Sequence, residues 1–443
     1  MGIAALVIVA GALTAAWAQE AGAAGRQQAV PRREGQPHGG WSQFGGPHRA
    51  FVAPAEPRPE PFDPSGPPLL WEAALGPGNS GVISRAGVVW TALRRGEHEV
   101  VVAFDAASGG RLWEHAEHAP LPESADPEFG VGPHSTPVVA DDLVFFAGAT
   151  GHLVALEAST GALRWRLRLW EDLRGTALER GYAASPLALD LAPGQRLLVV
   201  AVGGVDPVTH QGRGLMAFER ATGAVRWAAE PSAATYASPI AVDLGGSLQV
   251  VALLEDALVG VDPGDGSRRW RVPISSERFA LCNTPVDCGD GRIFIVTAAG
   301  GALVHVRESN PGEYTVDERW TSRRIGAQQH NALRLGELLI GANETATTNA
   351  LALSDGRALV RSRALRDATL LAAGSTLVAL TADGELVVAE LTSKDPRQLE
   401  LEVTARAQVL TGRVWAAPAL DGGILYLRDD TLLRALRLSA GPR

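Results

Sequence analysis

The chain is poor in several residue types, and each scarcity narrows what it can do. Its 443 residues include one lysine, Lys394, and acidic residues outnumber basic ones by 49 to 40, which gives a formal net charge of −9. This charge argues against a nucleic-acid partner. Charged residues make up only 20% and hydrophobic residues 46%, which excludes a disordered chain. No Gly-x-Ser-x-Gly, phosphate-binding, calcium-loop or zinc motif occurs.

Cysteine is almost absent, since Cys282 and Cys288 are the only two. In an oxidising compartment they could pair. Six residues of extended chain, however, span roughly 20 Å, whereas the Cα atoms of a disulfide lie within about 7 Å of each other. Pairing would require a sharp turn between Asn283 and Asp287. We expect two free, buried thiols, with the disulfide as the alternative.

The one long apolar run lies at the N-terminus and predicts export. Residues 3–13 lead to Ala16-Trp17-Ala18, a small-x-small cleavage site that would release Gln19. No Lys or Arg precedes the run, and about 17 apolar or small residues fall just short of a membrane span. Residues 1–18 are predicted to be a signal peptide, with an uncleaved membrane anchor as the alternative, and the location is periplasmic or extracellular. No cysteine lies at the cleavage site, so no lipid could be attached there.

Residues 19–66 are rich in Gly, Pro, Ala and Gln and have no hydrophobic periodicity, which is typical of a linker. One segment, Trp41–Arg49, interrupts this composition with two aromatic residues. It must either pack on the folded body or face a partner, and we expect it to pack on the folded body.

Residues 67–443 repeat one pattern of short strands. A Ser/Thr-Pro or its equivalent opens the first strand of each copy, and a Gly-containing turn leads to a last strand with Trp. Alternating residues such as Leu143 and Phe145 would face the core between sheets. Because one sheet cannot bury both of its faces, the copies must stack in a ring. The clear copies end at Trp113, Trp165, Trp227, Trp270 and Trp320. Two degenerate copies follow, one around residues 352–360 and one around residues 385–402, and a partial copy spans residues 415–438.

The two ends of the repeat region complement each other. Residues 69–75 contain Trp71 and resemble a last strand with only linker before it, whereas the final copy ends near Leu438 without a Trp strand. The N-terminal strand should therefore complete the last blade and leave no open sheet edge. The prediction is an all-β propeller of about eight four-stranded blades. Seven blades remain the alternative if the region after Trp320 forms only one.

The turn sequence Asp-x-x-Ser/Thr-Gly-x-x-x-Trp, as at Asp105 to Trp113, resembles the repeat of pyrroloquinoline-quinone-like propellers. That group includes quinoprotein dehydrogenases and the propeller lipoprotein subunit of outer-membrane β-barrel assembly. The Trp41–Arg49 segment is similar to the Trp-x-Gln-x-x-Gly-Pro segment that precedes many secreted propellers of the group with no assigned activity. Of the three, the chain most resembles these secreted propellers.

In such a propeller the residues just before each first strand converge at one mouth of the central channel. Here they are polar or aromatic, as a ligand site requires. The predicted ligand-binding residues are Asn79, His134, Ser135, Tyr182, Tyr236, Asn283, His330, Asn331, Arg413 and Trp415, and a rim is predicted from Arg180, Arg278, Phe279, Arg323 and Arg324. The alternative is structural, because Ser, Thr and Asn also satisfy backbone groups at strand starts and aromatic rings fill voids.

The resemblance implies one catalytic alternative, a quinoprotein-like oxidoreductase. Relatives that bind pyrroloquinoline quinone hold it with calcium, a catalytic Asp, cationic groups and stacking partners, often including a disulfide between adjacent cysteines. This sequence has no adjacent cysteines, and we find no Asp or Glu immediately beside the first-strand starts. Arg413 and Trp415 match only the cationic and stacking roles.

Two further polar groups are expected to be structural. His115 and His118 have a spacing found in metal sites, but they should follow a last strand and enter an exposed loop. Asp262 and Asp265 belong to a hairpin turn of the repeat. We therefore expect no metal site.

The resulting prediction is an exported, non-catalytic binding or scaffold propeller that takes a protein or peptide at the mouth of its channel. We expect no cofactor, no nucleic acid, no membrane span beyond the possible N-terminal anchor, and a monomer. The alternative is the oxidoreductase that depends on pyrroloquinoline quinone and calcium.

Overall fold

The computed structural model describes residues 40–53, 56–121, 130, 132–175, 177–192, 194–275, 281–326, 330–395 and 398–439. All regular structure in these residues is β, in 33 strands. The predicted signal peptide, residues 1–18, and the rim residues Arg278 and Phe279 lie outside the described residues. No described segment forms a helix long and apolar enough to cross a membrane.

The strands form eight sheets, seven with four strands and one with five, which we number as blades I to VIII. The N-terminal strands are β1 (Val52–Ala53) and β2 (Leu69–Ala74). Blade I has β3 (Ile83–Arg85), β4 (Val88–Arg95), β5 (His98–Asp105) and β6 (Arg111–His118), and blade II has β7 (Val138–Ala140), β8 (Leu143–Ala147), β9 (His152–Glu157) and β10 (Leu163–Arg168). Blade III has β11 (Leu187–Ala192), β12 (Gln195–Ala201), β13 (Leu215–Glu219) and β14 (Val225–Ala229), and blade IV has β15 (Ile240–Leu244), β16 (Ser247–Leu253), β17 (Ala257–Val261) and β18 (Arg268–Pro273).

Blade V has β19 (Val286–Asp287), β20 (Arg292–Thr297), β21 (Gly300–Asn310) and β22 (Glu313–Ser322), and blade VI has β23 (Leu333–Leu335), β24 (Leu338–Ala342), β25 (Thr348–Ala352) and β26 (Ala358–Ser362). Blade VII has β27 (Ala368–Ala373), β28 (Thr376–Thr381), β29 (Glu385–Asp395) and β30 (Gln398–Gln408). Blade VIII has β31 (Ala419–Asp421), β32 (Ile424–Arg428), β33 (Leu432–Arg437) and β2. The first strand of each blade lines the channel, and the degenerate copies after Trp320 form two blades, so the predicted count of eight is confirmed.

The ring closes as predicted, because the N-terminal strand β2 is the outer strand of blade VIII. Strand β2 pairs antiparallel with β33, and Trp71 lies opposite Ala435. The inner strands β31 and β3 contact each other. Arg428, which is fully buried, donates hydrogen bonds from blade VIII to the carbonyl oxygens of Ala92 (2.5 Å) and Gly76 (2.7 Å). Hydrogen bonds from both backbone and side chains thus join the last blade to the first.

The repeat tryptophans join neighbouring blades. Each of five indole N–H groups donates to a carbonyl in the hairpin turn of the following blade: Trp71 to Ala106, Trp113 to Ala158, Trp165 to Arg220, Trp227 to Pro263 and Trp320 to Leu353, at 2.8–2.9 Å. Trp270 differs, since it donates to the side chain of Gln249 within its own blade. The core lies between blades, where residues such as Val101 of blade I and Val144 of blade II share one buried cluster.

Candidate functional site

The starts of the eight inner strands surround a cavity at the predicted mouth of the channel, with a volume of about 220 Å³. Its walls come from the segments that precede the inner strands. The lining residues are Phe44, Phe51, Asn79, His134, Thr136, Arg180, Ala183, Ser185, Tyr236, Ser238, Cys282, Asn283, Thr284, His330, Asn331, Thr369, Trp415 and Ala417. The cavity is a concave surface with aromatic groups and a few polar ones, which is the composition of a ligand site.

The floor of the cavity comes from the N-terminal segment 41–53, which we call the plug. Phe44 and Phe51 pack edge to face, with ring centroids 5.1 Å apart. Trp41 is only 1% exposed, and its carbonyl accepts from the N–H of Ser84 in β3. The prediction that this segment packs on the folded body is confirmed. It ends as β1, which adds a parallel fifth strand to blade VII beside β27, and that pairing was not predicted.

Arg49 fixes the plug in the channel. Its guanidinium donates to the carbonyl oxygens of Ser185 (3.1 Å) and Pro239 (2.9 Å), and also to that of Pro186. It donates as well to Oε1 of Gln43 (3.0 Å). Arg49 is the last residue of the Trp41–Arg49 segment, and this role was not predicted. An arginine in a segment expected to pack on the folded body was the available signal, because a buried guanidinium needs acceptors.

A ring of hydrogen bonds joins the inner-strand starts of blades I to VI. In each bond a backbone N–H of one blade donates to a side-chain oxygen of the next. The bonds run from Gly81 to Thr136 (3.1 Å), Thr136 to Ser185 (2.9 Å), Ser185 to Ser238 (2.9 Å), Ser238 to Thr284 (3.3 Å) and Thr284 to Asn331 (2.9 Å). We call these side chains the oxygen ring. Their oxygens satisfy backbone groups, as the structural alternative expected.

Seven of the ten predicted binding residues line the cavity. These are Asn79, His134, Tyr236, Asn283, His330, Asn331 and Trp415. The other three lie outside its lining. Ser135 is fully buried and donates to the carbonyl of Ala147, and Tyr182 is 1% exposed. Arg413 stacks on the Trp415 ring, 4.5 Å from its centroid, and forms an ion pair with Asp430 at 3.4 Å. Of the predicted rim, Arg180 lines the cavity, whereas Arg323 and Arg324 are exposed and are absent from its lining.

The charge at the cavity is positive in the part described. Arg180 is in the lining, and no Asp or Glu is among the described lining residues. Burial, together with the positive charges of Arg94 and Arg413, lowers the pKa of His134 to about 4, so this imidazole is neutral at pH 7. Burial raises the pKa of the Cys282 thiol to about 11. Cys282 and Cys288 are both free, as expected.

One carboxylate does lie beside an inner-strand start, contrary to the sequence analysis. Asp367 immediately precedes β27 of blade VII, a start that was missed because this degenerate copy has no Ser/Thr-Pro. The carboxylate lies 2.8 Å from Nε2 of His330. That hydrogen bond lowers the pKa of Asp367. Nδ1 of the same imidazole is buried and has no hydrogen-bond partner in the described protein.

The histidines with metal-like spacing are placed differently from the prediction. His115 and His118 lie within β6 and not in a loop, because β6 extends to residue 118 opposite β5. Nε2 of His115 lies 2.5 Å from Oε1 of Glu117. Within the described residues, no three His, Cys, Asp or Glu side chains are grouped to hold a metal ion. Asp262 and Asp265 accept backbone hydrogen bonds in their hairpin turn, as predicted.

Comparison with known proteins agrees with this architecture. Residues 97–361 match the family described as outer membrane protein assembly factor BamB, and this range is more than half of the chain. The chain belongs to this family. The predicted resemblance to pyrroloquinoline-quinone-like propellers is thereby confirmed, and the match falls on the assembly-factor group among the three named above.

One curated relative is an outer membrane protein assembly factor BamB from Kangiella koreensis. It is 28% identical over 232 residues, which is 52% of this chain and 51% of the relative. The chain thus spans about half the length of the curated relative it matches.

Two solved structures share the fold at low sequence identity. BamB from Moraxella catarrhalis has 15% identity and a TM-score of 0.57, with 85% of this chain and 99% of that chain covered. Quinohemoprotein alcohol dehydrogenase ADHIIG from Pseudomonas putida HK5 has 13% identity and a TM-score of 0.54, with 91% and 81% covered. At these identities the likeness shows the fold alone, and the choice of function depends on the cavity.

The described cavity does not fit a quinone held by calcium. Calcium prefers several oxygen ligands, carboxylates above all. No Asp or Glu is among the described lining residues, and two carboxylates around the mouth, Asp367 and Asp430, are already paired with His330 and Arg413 respectively. The base of the cavity is occupied by Phe44 and Phe51. These groups can bind polar and aromatic parts of a ligand, but they do not form a calcium cradle.

Proposed function

We propose that the chain is an exported, non-catalytic propeller that binds a protein or an extended peptide at the mouth of its channel, in the periplasm or outside the cell. The observation that supports it most is the cavity itself. It gathers seven of the ten predicted residues above a floor made by the chain's own plug. Membership of the assembly-factor family favours a protein partner, such as a β-barrel chain being assembled into the outer membrane.

The proposal also follows from the chemistry of the lining. Oxygens of the oxygen ring already accept backbone hydrogen bonds, Asp367 is hydrogen-bonded to His330, and Asp430 forms an ion pair with Arg413. His134 is neutral at pH 7 because it is buried. Such a surface is suited to contact aromatic and amide groups of a polypeptide, and it presents no activated nucleophile.

The test is binding of a urea-unfolded outer-membrane β-barrel polypeptide, diluted into buffer and measured by interferometry on the exported full chain. The double variant Tyr236→Ala, Trp415→Ala should bind at least about tenfold more weakly, because these two rings form part of the cavity wall. Its melting temperature should change little. Unchanged binding would exclude the mouth as the binding site. A large loss of stability would instead show that the rings fill the channel for structural reasons.

The Arg413–Trp415 stack is the one feature that favours the oxidoreductase alternative, since it supplies a cationic and a stacking group. Melting and visible absorbance of the chain, with and without pyrroloquinoline quinone and Ca²⁺, decide between the two. We expect no saturable rise in melting temperature. A rise accompanied by a bound chromophore would replace the binding function with a dehydrogenase function.

A further inference from the structure

The size of the mouth cavity limits what can enter it. Its volume is about 220 Å³. A protein cavity of about 150 Å³ holds one benzene molecule, whereas pockets for drug-sized ligands measure roughly 300–1,000 Å³. The cavity therefore has room for one ring with a small substituent. An extended polypeptide could insert a single side chain, while its backbone stayed at the rim.

The walls of the cavity are suited to an aromatic ring. Phe44 and Phe51 form the floor and already pack edge to face. Tyr236, Trp415 and the small side chain of Ala183 also line the cavity. Aromatic rings prefer edge-to-face and offset contacts with one another. A ring that entered this space would meet such partners on several sides.

The charges around the cavity favour an anion. Arg180 lies in the lining, and Arg413 stacks on Trp415 at the rim. Of the described carboxylates around the mouth, Asp430 forms an ion pair with Arg413 at 3.4 Å, and Asp367 lies 2.8 Å from Nε2 of His330. A carboxylate at the mouth would be attracted to the guanidinium group of Arg180, and an ammonium group would be repelled by it.

We propose that the cavity receives one aromatic ring with a carboxylate beside it, presented by an extended segment of the partner protein. This inference rests on the proposed function and names the part of the partner that enters. The ring packs on Phe44, Phe51 and Tyr236, and the carboxylate accepts hydrogen bonds from Arg180.

Four small molecules distinguish the contribution of the aromatic ring to binding from that of the negative charge. Phenylacetate has both features, cyclohexylacetate lacks the aromatic ring, phenethylamine has the opposite charge, and acetate lacks the ring entirely. Each is titrated into the exported full chain and followed by ligand-observed NMR. Phenylacetate should bind saturably and at least about tenfold more tightly than each of the others, which is the effect of one lost stacking or charged contact. If cyclohexylacetate or phenethylamine bound as tightly as phenylacetate, the proposal would be overturned.

Variants with matched controls locate the binding. Ala183→Phe places a ring in the cavity and should abolish phenylacetate binding, whereas Ala107→Phe adds the same ring on an exposed hairpin turn of blade I and should not. Arg180→Gln should weaken binding about tenfold. Arg174→Gln removes an exposed arginine from the same loop and should leave binding unchanged. Binding that survives Ala183→Phe contradicts the assignment to this cavity.

Host peptides identify the source of the ring and separate this inference from the proposed function. A Gly-Ser host with Phe-Asp at its centre is compared with hosts containing Phe-Lys, Leu-Asp and Leu-Lys. Tightest binding of the Phe-Asp host, lost in Ala183→Phe, supports a partner segment. Equal binding of all four hosts would leave peptide binding standing and overturn the aromatic and acidic preference. If phenylacetate binds but none of the four host peptides does, the cavity takes a free arylcarboxylate and the partner segment is overturned.

Discussion

Single residues determine how closely neighbouring blades pack, and the contact of Trp with Gly in the hairpin turns shows this most directly. A Cβ atom built on Gly161 would lie 2.5 Å from the ring of Trp113. The same close approach occurs between Gly109 and Trp71 and between Gly356 and Trp320. These glycines also have positive φ, +72° at Gly161. The repeat therefore requires glycine for two reasons, backbone conformation and space for the indole.

The variant Gly161→Ala separates these two reasons when it is compared with Gly87→Ala. Gly87 also has positive φ, +81°, but a Cβ atom added there would have no other atom within 4 Å. Gly87→Ala should lower the free energy of unfolding by the cost of the backbone conformation alone, about 1 kcal/mol. Gly161→Ala should lower the free energy of unfolding by about 1–3 kcal/mol more than Gly87→Ala does, because the Trp113 ring must move. Urea denaturation measures both, and equal losses would show that the indole contact is not limiting.

Two histidines of blade II, His134 just before its first strand and His152 in β9, make stability depend on pH. Burial lowers the pKa of both His134 and His152 to about 4, against about 6.5 in an unfolded chain. Between pH 6.5 and 4 the unfolded state binds more protons at these sites, so their contribution to stability is present above pH 6.5 and is lost as the pH falls. Glu99, with a pKa raised to about 7 by burial, opposes this between about pH 4.5 and 7.

The double variant His134→Gln, His152→Gln should remove the histidine contribution, while Glu99, whose Oε2 lies 3.5 Å from Nε2 of His152, is present in both chains. The free energy of unfolding of the unmodified chain, relative to the variant, should rise with pH between 4 and 6.5 by up to about 1.4 kcal/mol per pH unit for each histidine. Urea titrations at pH 4.5, 5.5 and 6.5 measure this difference. A difference that stays constant with pH would mean that the pKa values of these imidazoles are the same in the folded and the unfolded chain.

Among the structural elements, the inner strands are joined both by the packing of the blades and by the oxygen ring. The ring extends over blades I to VI. Between blades VI and VII, His330 and Asp367 are hydrogen-bonded, and beyond them β1 of the plug pairs with β27. Strand β1 thus lies in the sector where the oxygen ring ends.

Ser238→Ala tests the oxygen ring. Oγ of Ser238 accepts from the N–H of Ser185 at 2.9 Å, and both residues are buried. The alanine variant leaves that N–H without its partner, so it should lose about 1–3 kcal/mol of stability in urea denaturation. Ser238→Thr keeps the hydroxyl and should lose less. If the two variants were equally stable, the hydrogen bond would make no net contribution.

The elements that the sequence predicted are those with a local signature. The Gly turn, the strand alternation and the Trp strand recur at short spacing, so eight blades and closure by residues 69–75 could be inferred. Strand β1 could not be inferred from the sequence, because it has only two residues and its partners Ala372 and Ala373 lie more than 300 positions away in the chain. The start of blade VII, with Asp367, lacked the Ser/Thr-Pro signal. Seven cavity residues were predicted because they directly precede inner strands. Ser135 and Tyr182 have similar positions in the sequence but do not line the cavity, because the direction of their side chains depends on packing that no local pattern specifies.

At the scale of the whole molecule, the N-terminal region both closes the ring and limits the depth of the mouth. Strand β2 completes blade VIII, and the plug contacts the inner strands of blades I, II and VII through backbone hydrogen bonds. Arg49 reaches the strand starts of blades III and IV. The cavity is therefore open at the inner-strand starts and closed below by Phe44 and Phe51. A partner should contact one face of the propeller, the face with the mouth.

The most direct test of this account is amide hydrogen exchange of the full chain, with and without a bound β-barrel polypeptide. The account predicts added protection in the segments that precede the inner strands, above all at residues 79–82, 180–185, 236–238 and 413–417. The hairpin turns at the opposite end, such as residues 105–110 and 157–162, should exchange as before. Protection confined to those turns or to the outer strands would contradict binding at the mouth of the channel.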